Sequence, residues 1–215
     1  SILRKAFYHV PIQTDAAGFH INAIHGFLNV LFMLAAEEKT EYLTVVFGQE
    51  VQQDNEAESK AVPEDFREQI PVLQEILVSM NVYVVDDKKL RTADLIGTIV
   101  NRCAGENTAV TIVSGDRNLL QLVSETVSVR LAETGNKNTR ITDYQKDDVV
   151  TVHKVMPEQY ADLQALVQVG GIGEKTAADL LNTYGSMTDI GQHLNDIPQK
   201  SIREALSDSC KWEKI

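Results

Sequence analysis

The chain is 215 residues long, 43% hydrophobic, and carries a formal net charge of -11. That length allows one large or two small hydrophobic cores, and the composition is ordinary for a folded globular protein. The acidic balance argues against a general nucleic-acid binder and leaves room only for a small local phosphate contact. No apolar run approaches the ~18 residues of a membrane helix, and no basic-then-apolar leader of the secretory type is visible. Cys103 and Cys210 stand in no metal-ligand spacing and fit a reducing compartment.

In chain order, Ala23–Ala36 (AIHGFLNVLFMLAA) predicts a mostly buried helix, broken only by His25 and Asn29. Tyr42–Phe47 (YLTVVF) is short and β-branched, as a buried parallel strand would be. From Gly48 the chain turns acidic, which predicts a solvated, mobile segment ahead of Phe66. Pro63 then opens a helix to about Met80, with Val62, Phe66, Ile70, Leu73 and Leu77 on one face and Pro71 as a kink or a division. Asn81–Val85 predicts a strand and Thr92–Asn101 a helix with Leu95, Ile96, Ile99 and Val100 inward. Thr108–Val113 predicts a strand with Ser114-Gly115-Asp116 as its exit loop. Asn118–Val123 reads as a short helix, Thr126–Leu131 as a strand and Asp147–Lys154 as a short element. Strands alternating with helices indicate an α/β fold with a central, mostly parallel sheet covered by helices.

From Pro157 the pattern becomes helical. Tyr160, Leu163, Leu166 and Val167 form one apolar stripe. Thr176–Tyr184 is a second helix stopped by Gly185, and Ser201–Leu206 is one more. Residues 1–156 thus form an α/β domain and 157–215 a helical subdomain. No internal repeat is visible, and His9, His20, His25, His153 and His193 form no compact cluster and read as core, surface or packing residues.

Between the first two helices of the subdomain lies VGGIGEKTAADLL, Val169–Leu181. It is not a triphosphate loop: Glu174 precedes Lys175 where that motif needs glycine, and the turn joins two helices instead of following a strand. A glycine turn that opens a helix presents successive backbone N–H groups, and Lys175 adds a mobile charge. One DNA backbone phosphate suits such a site. The competing reading is a tight turn whose glycines serve close packing alone.

Sheets of this type place functional residues beyond the carboxyl ends of their strands. There TIVSGD delivers Asp116, and Asp94 falls in the first turn of the helix after YVVDDKKLRTA, whereas VVFG delivers only Gly48. Two carboxylates could hold one divalent ion through oxygen ligands; clamping two ions on a phosphodiester needs more. Each alone is also explained as a solvated turn residue or a first-turn helix charge.

Taken together, KAFYHVP (5–11), NAIHGFLNVL (22–31), YLTVVF (42–47), EDFREQIPVLQEIL (64–77), ADLIGTIV (93–100), VSGDRNLLQLVS (113–124), PEQYADLQALV (157–167) and GIGEKTAADLLNTYGS (171–186) resemble the 5′-nuclease family. The likeness is to the 5′→3′ exonuclease domain attached to bacterial DNA polymerase I. It covers most of the chain, and GIGEKTAADLLNTYGS, similar to the family's helix-hairpin-helix, is its most specific part. The resemblance implies a PIN-like fold, a carboxylate groove for Mg²⁺ or Mn²⁺, a helical arch over that groove, and cleavage of 5′ flaps and ends. It also implies a monovalent cation at the glycine turn, a cytoplasmic, bacterial setting with nucleoid association on DNA, and a polymerase or other protein as an open partner question.

Several family positions differ here. The first-strand aspartate would lie upstream of Ser1, Gly48 stands where VVF normally continues with aspartate, and the arch is reduced to 48–62 with Lys60 its only base. The E-A-D-D segment reads Arg91-Thr92-Ala93-Asp94, G-D-x-D reads Gly115-Asp116-Arg117-Asn118, and the acids before the glycine turn are missing. The resemblance therefore assigns Asp94 and Asp116 as catalytic remnants, and Asp94, Asp116 and Asn118 as metal ligands for weak or single-ion binding. Gly171, Gly173, Lys175, Thr176, Arg91 and Arg117 are its DNA-contact residues. The leading expectation is a structure-specific DNA-binding protein with weak or absent nuclease activity. An active Mg²⁺- or Mn²⁺-dependent exonuclease or flap endonuclease, and a non-catalytic protein-interaction module, remain the alternatives.

Overall fold

A computed structural model describes residues 2–37, 40–49, 63–105, 108–134 and 139–208. The reduced arch expected at 48–62 lies outside these residues except for Gly48 and Gln49, which complete a strand. The chain packs into two compact units, one of residues 1–99 and 132–140, the other of 100–131 and 141–215.

In the first unit, α1 (Ile2–His9), α2 (Asn22–Glu37) and α3 (Glu64–Ser79) pack with β1 (Thr44–Gln49) and β2 (Tyr83–Arg91). Its core holds Leu3, Ala23, Ile24, Leu31, Phe66, Leu73 and Leu77, with Phe7, Val45, Phe47 and Val84 against it. Leu73 and Leu77 are fully buried, each worth roughly 1.5–3 kcal/mol by removal from water. Pro71 neither divides nor ends α3: it sits exposed inside one continuous helix.

Two expectations change here. Helix α2 is not mostly buried; Phe32 and Met33 are 54% and 43% exposed, because only the face bearing Ala23, Ile24 and Leu31 meets the core. The strand expected at Asn81–Val85 starts later and runs further, to Arg91. Asn81 adopts a positive φ of 60° and completes the turn out of α3, while pairing with β1 continues through Asp86 and Asp87 and resumes at Arg91. The parallel register runs from Thr44 opposite Tyr83 to Gly48 opposite Asp87, then shifts so that Gln49 faces Arg91.

Gln69, invisible to an apolar pattern, organises the start of α2. Its side chain is fully buried; its carbonyl accepts from the N–H groups of Ala23 (2.9 Å) and Ile24 (3.3 Å), and its amide donates to the Asn22 side chain and the Asp65 carbonyl. Helix-opening donors that would otherwise be orphaned are thus capped from another helix.

Helix α4 (Thr92–Gly105) follows β2 directly and leads into the second unit. There β3 (Val110–Ser114) pairs in parallel with β4 (Val127–Thr134), and β5 (Thr139–Tyr144) joins β4's other edge. The described strands thus form one two-stranded and one three-stranded sheet, with parallel pairing in both, in an α/β fold. The expected helix at Asn118–Val123 is a 3-10 turn over Arg117–Leu122 that buries Leu119 and Leu120. Helices α5 (Lys146–His153), α6 (Tyr160–Val167), α7 (Glu174–Tyr184), α8 (Met187–Gln192) and α9 (Lys200–Asp208) complete the unit. Tyr160, Leu163 and Leu166 of α6 are buried with Leu181 of α7, but Val167 faces outward at 38% exposure.

Candidate nucleic-acid interface and carboxylate groove

The glycine turn is built by its neighbours. Helix α6 ends as Gln168 and Val169 donate to the carbonyls of Ala165 and Leu166, and Ile172, 4% exposed, anchors the turn inward. Gly171 has φ +88°, a conformation that β-carbon-bearing residues rarely adopt, and Gly173 is the extended residue preceding α7. A β-carbon added at Gly170, Gly171 or Gly173 would meet no protein atom within 4 Å. Packing within the protein therefore does not require these glycines; they leave the backbone bare toward the outside. The opening N–H groups of α7 have no intrahelical carbonyl to bond and carry the positive end of the helix dipole. Lys175 is exposed beside them and Thr176 half-buried.

Helix α7 is held firmly behind this turn. The Asn182 side chain donates to the Lys154 carbonyl at 2.8 Å, and Gln159 donates to that of Gly185 at 2.8 Å. At the other end, Glu174 meets the buried ring of His153 at 2.7 Å. This pair lies 21 residues apart in sequence, so no periodic or motif signal reveals it.

The residues expected to line a carboxylate groove are placed as follows. Arg91 ends β2 and Asp94 lies in the first turn of α4, so their i,i+3 spacing lets the guanidinium fork onto the carboxylate. Its Nε and Nη2 reach the two Asp94 oxygens at 2.8 and 3.0 Å. Asp94 drives the Arg91 guanidinium further toward its protonated form, by hydrogen bonding first and by charge second. Both groups are exposed, so the pair contributes about 1 kcal/mol or less to stability. The guanidinium nevertheless occupies both Asp94 oxygens.

Asp116 is committed as well. It precedes the 3-10 turn and accepts the Asn118 N–H at 2.9 Å. Asn118 is exposed. Asp94 and Asp116 fall in different compact units. Among the described residues, no group of three or more His, Cys, Asp or Glu side chains could hold a metal ion. Within its own unit, Asp94 is paired with Arg91 and Asp116 caps a turn.

Gly48 explains part of this. A β-carbon there would lie 2.8 Å from the Thr92 nitrogen and 2.9 Å from the Leu90 carbonyl oxygen. The β2–α4 junction fills the space a side chain would need, so this backbone has no room for an aspartate after VVF. Arg117 is exposed with its guanidinium near the Tyr160 hydroxyl, where it opposes the rise that burial imposes on the phenol's pKa.

Comparison with known proteins agrees with this architecture. Residues 1–155 match the family described as 5′-3′ exonuclease, N-terminal resolvase-like domain. The chain is 34% identical over 221 residues to DNA polymerase I of Caldicellulosiruptor bescii, covering 96% of this chain and 26% of that protein. It is 31% identical over 205 residues to the 5′-3′ exonuclease of Aquifex aeolicus, covering 88% of this chain and 69% of that one. In fold it is similar to the bacteriophage T5 D15 flap endonuclease solved with DNA and metal ions, with a TM-score of 0.67 and 19% identity over 86% of this chain and 75% of that one. The fold is that of a 5′-nuclease-like α/β protein, and the chain belongs to the 5′-3′ exonuclease family. It spans about a quarter of the length of the DNA polymerase I relatives it matches. No described helix is long and apolar enough to cross a membrane.

Proposed function

We propose that this chain binds the sugar-phosphate backbone of duplex or flap DNA through the turn between α6 and α7, and cleaves it weakly or not at all. The observation that carries the first half is the bare backbone at Gly170, Gly171 and Gly173, where a phosphate oxygen can approach N–H groups that any β-carbon would shield. Lys175 and Thr176 supply a charge and a hydroxyl beside it, and a monovalent cation at the turn belongs to the same reading. The second half rests on Arg91, which neutralises Asp94. Asp116 and Asn118 are left with at most a weak hold on one Mg²⁺ or Mn²⁺ ion. Arg91 and Arg117 are secondary DNA contacts in this reading, since each already faces a group of its own.

The division into an α/β domain at 1–156 and a DNA-binding subdomain at 157–215 belongs to the proposal and is supported by the family match ending at residue 155. So do a cytoplasmic, nucleoid-associated setting and a polymerase as protein partner, which the bacterial polymerase relatives support. The test is labelled flap DNA mixed with purified protein and Mg²⁺ or Mn²⁺. Retention of the DNA with little cleavage is expected. Efficient cleavage abolished by Asp116→Ala would overturn the inactive half, and no binding at low salt would overturn the DNA half.

A further inference from the structure

Lys154 stands at a backbone position that favours glycine. It closes α5 in the left-handed conformation, with φ 61° and ψ 22°. A β-carbon there crowds the following carbonyl oxygen, so glycine, and less often asparagine, usually fills the position after a helix. Two contacts hold the conformation. The Lys154 N–H donates to the Val150 carbonyl at 3.0 Å, and the Lys154 carbonyl accepts from the Asn182 side chain of α7 at 2.8 Å. Both use backbone atoms that glycine would supply equally well, and the lysine side chain is exposed. Among the described lysines of this unit, Lys146 and Lys200 are paired with Glu125 and Glu204, whereas Lys154 and Lys175 enter no ion pair. The chain has 31 acidic residues for 20 basic ones, so cations available to a phosphate are scarce.

Asn182 also ties Lys154 to the face of α7 that carries Lys175. It follows Lys175 by about two turns of this helix, so the two residues project from nearly the same side, about 10 Å apart along the axis. Each strand of a DNA duplex presents a phosphate every ~3.4 Å of its axis, so a backbone seated on the glycine turn has further phosphates at that reach. We propose that Lys154 is a second phosphate-binding residue of this interface, kept at a glycine position for its charge: its ammonium takes another phosphate of the DNA that sits on the glycine turn. The inference rests on the reading of that turn as the DNA contact. Its ligand is the sugar-phosphate backbone, so it carries no base preference. A cation at a helix end also favours the α5 dipole; that role acts on stability and leaves DNA affinity untouched, which separates the two.

The experiment is anisotropy of labelled duplex DNA over a series of salt concentrations, with thermal melts by circular dichroism. Lys154→Gly relieves the left-handed conformation and removes the charge. Its melting temperature should stay at or above that of wild type, while its affinity at low salt falls about three- to tenfold. The log–log dependence of affinity on salt should become shallower by about 0.9. Lys154→Arg, which keeps the charge, should retain both affinity and slope. Lys154→Asn, which also tolerates this conformation, carries the test if the glycine variant melts lower. Lys175→Glu is the control for the turn. Unchanged affinity and slope in the uncharged variants, with Lys175→Glu still weakening binding, would overturn this inference alone. Failure of the wild type to bind, or indifference to Lys175→Glu, would overturn the DNA reading of the turn and this inference with it.

Discussion

Gly173 and Gly171 offer a sharp test of why the turn is bare, because replacing each with alanine perturbs different physics. At Gly173 the backbone is extended, with φ -87° and ψ 166°, which alanine adopts without strain, and the new β-carbon meets nothing within 4 Å. Reduced unfolded-state entropy favours the alanine by about 0.4–1 kcal/mol, and a weaker helix cap opposes it by a similar amount. Stability should therefore stay within about 1 kcal/mol of wild type. The new methyl would nevertheless stand where a phosphate oxygen must come within ~2.9 Å of an N–H. Losing one such charged hydrogen bond costs about 1.5–3 kcal/mol, or roughly tenfold or more in affinity. At Gly171 the φ of +88° makes alanine strained, at about 1–2 kcal/mol of stability. Thermal melts by circular dichroism and anisotropy titrations with duplex DNA separate the two effects. Gly173→Ala with unchanged melting and unchanged DNA affinity would refute the reasoning that the turn is kept bare for close approach.

Further outcomes are expected elsewhere. Gly48→Ala should destabilise the first unit by about 1–3 kcal/mol, since its β-carbon would press on the backbone of Leu90 and Thr92; Gly48→Asp should lower stability in denaturant titrations without creating metal affinity. Gln69→Leu keeps the volume but orphans the Ala23 and Ile24 N–H groups, so a loss of about 1–3 kcal/mol is expected in the same measurement. Arg91→Glu removes the cation from Asp94 and adds a carboxylate; Mn²⁺ binding by calorimetry should strengthen relative to wild type. Burial raises the Tyr160 phenol above its ordinary 10.0, against a smaller opposing effect from Arg117. A proton held more tightly by the folded state gives stability that is complete below the unfolded value and lost as pH rises through the folded one. Unfolding curves should weaken at alkaline pH above 10.0, and Tyr160→Phe should remove part of that slope.

Much of the architecture was legible from short-range pattern. The three- and four-residue spacing of Phe66, Leu73 and Leu77 placed α3, and β-branched runs placed the cores of β1, β3 and β4. GGIGEK marked the turn, because a glycine run between two amphipathic helices has few other physical uses. These signals are local: side-chain periodicity and backbone freedom depend on neighbours along the chain. The Arg91–Asp94 fork is local too; both residues were singled out, yet for opposite partners, a phosphate and a metal.

What the sequence alone determined is the alternation of elements, the position of the bare turn and the shortage of acids around Asp94 and Asp116. Only the tertiary structure decided what Gly48, Gln69 and His153 touch. Gly48 is glycine because the backbone of Leu90 and Thr92 comes round to meet it, and Gln69 is polar in a core because it caps a helix 46 residues away. His153 is buried because three elements close over it and leave it Glu174 as its hydrogen-bond partner. Each contact is made by residues the chain brings together from a distance, where the physics is packing and desolvation and no local spacing records it.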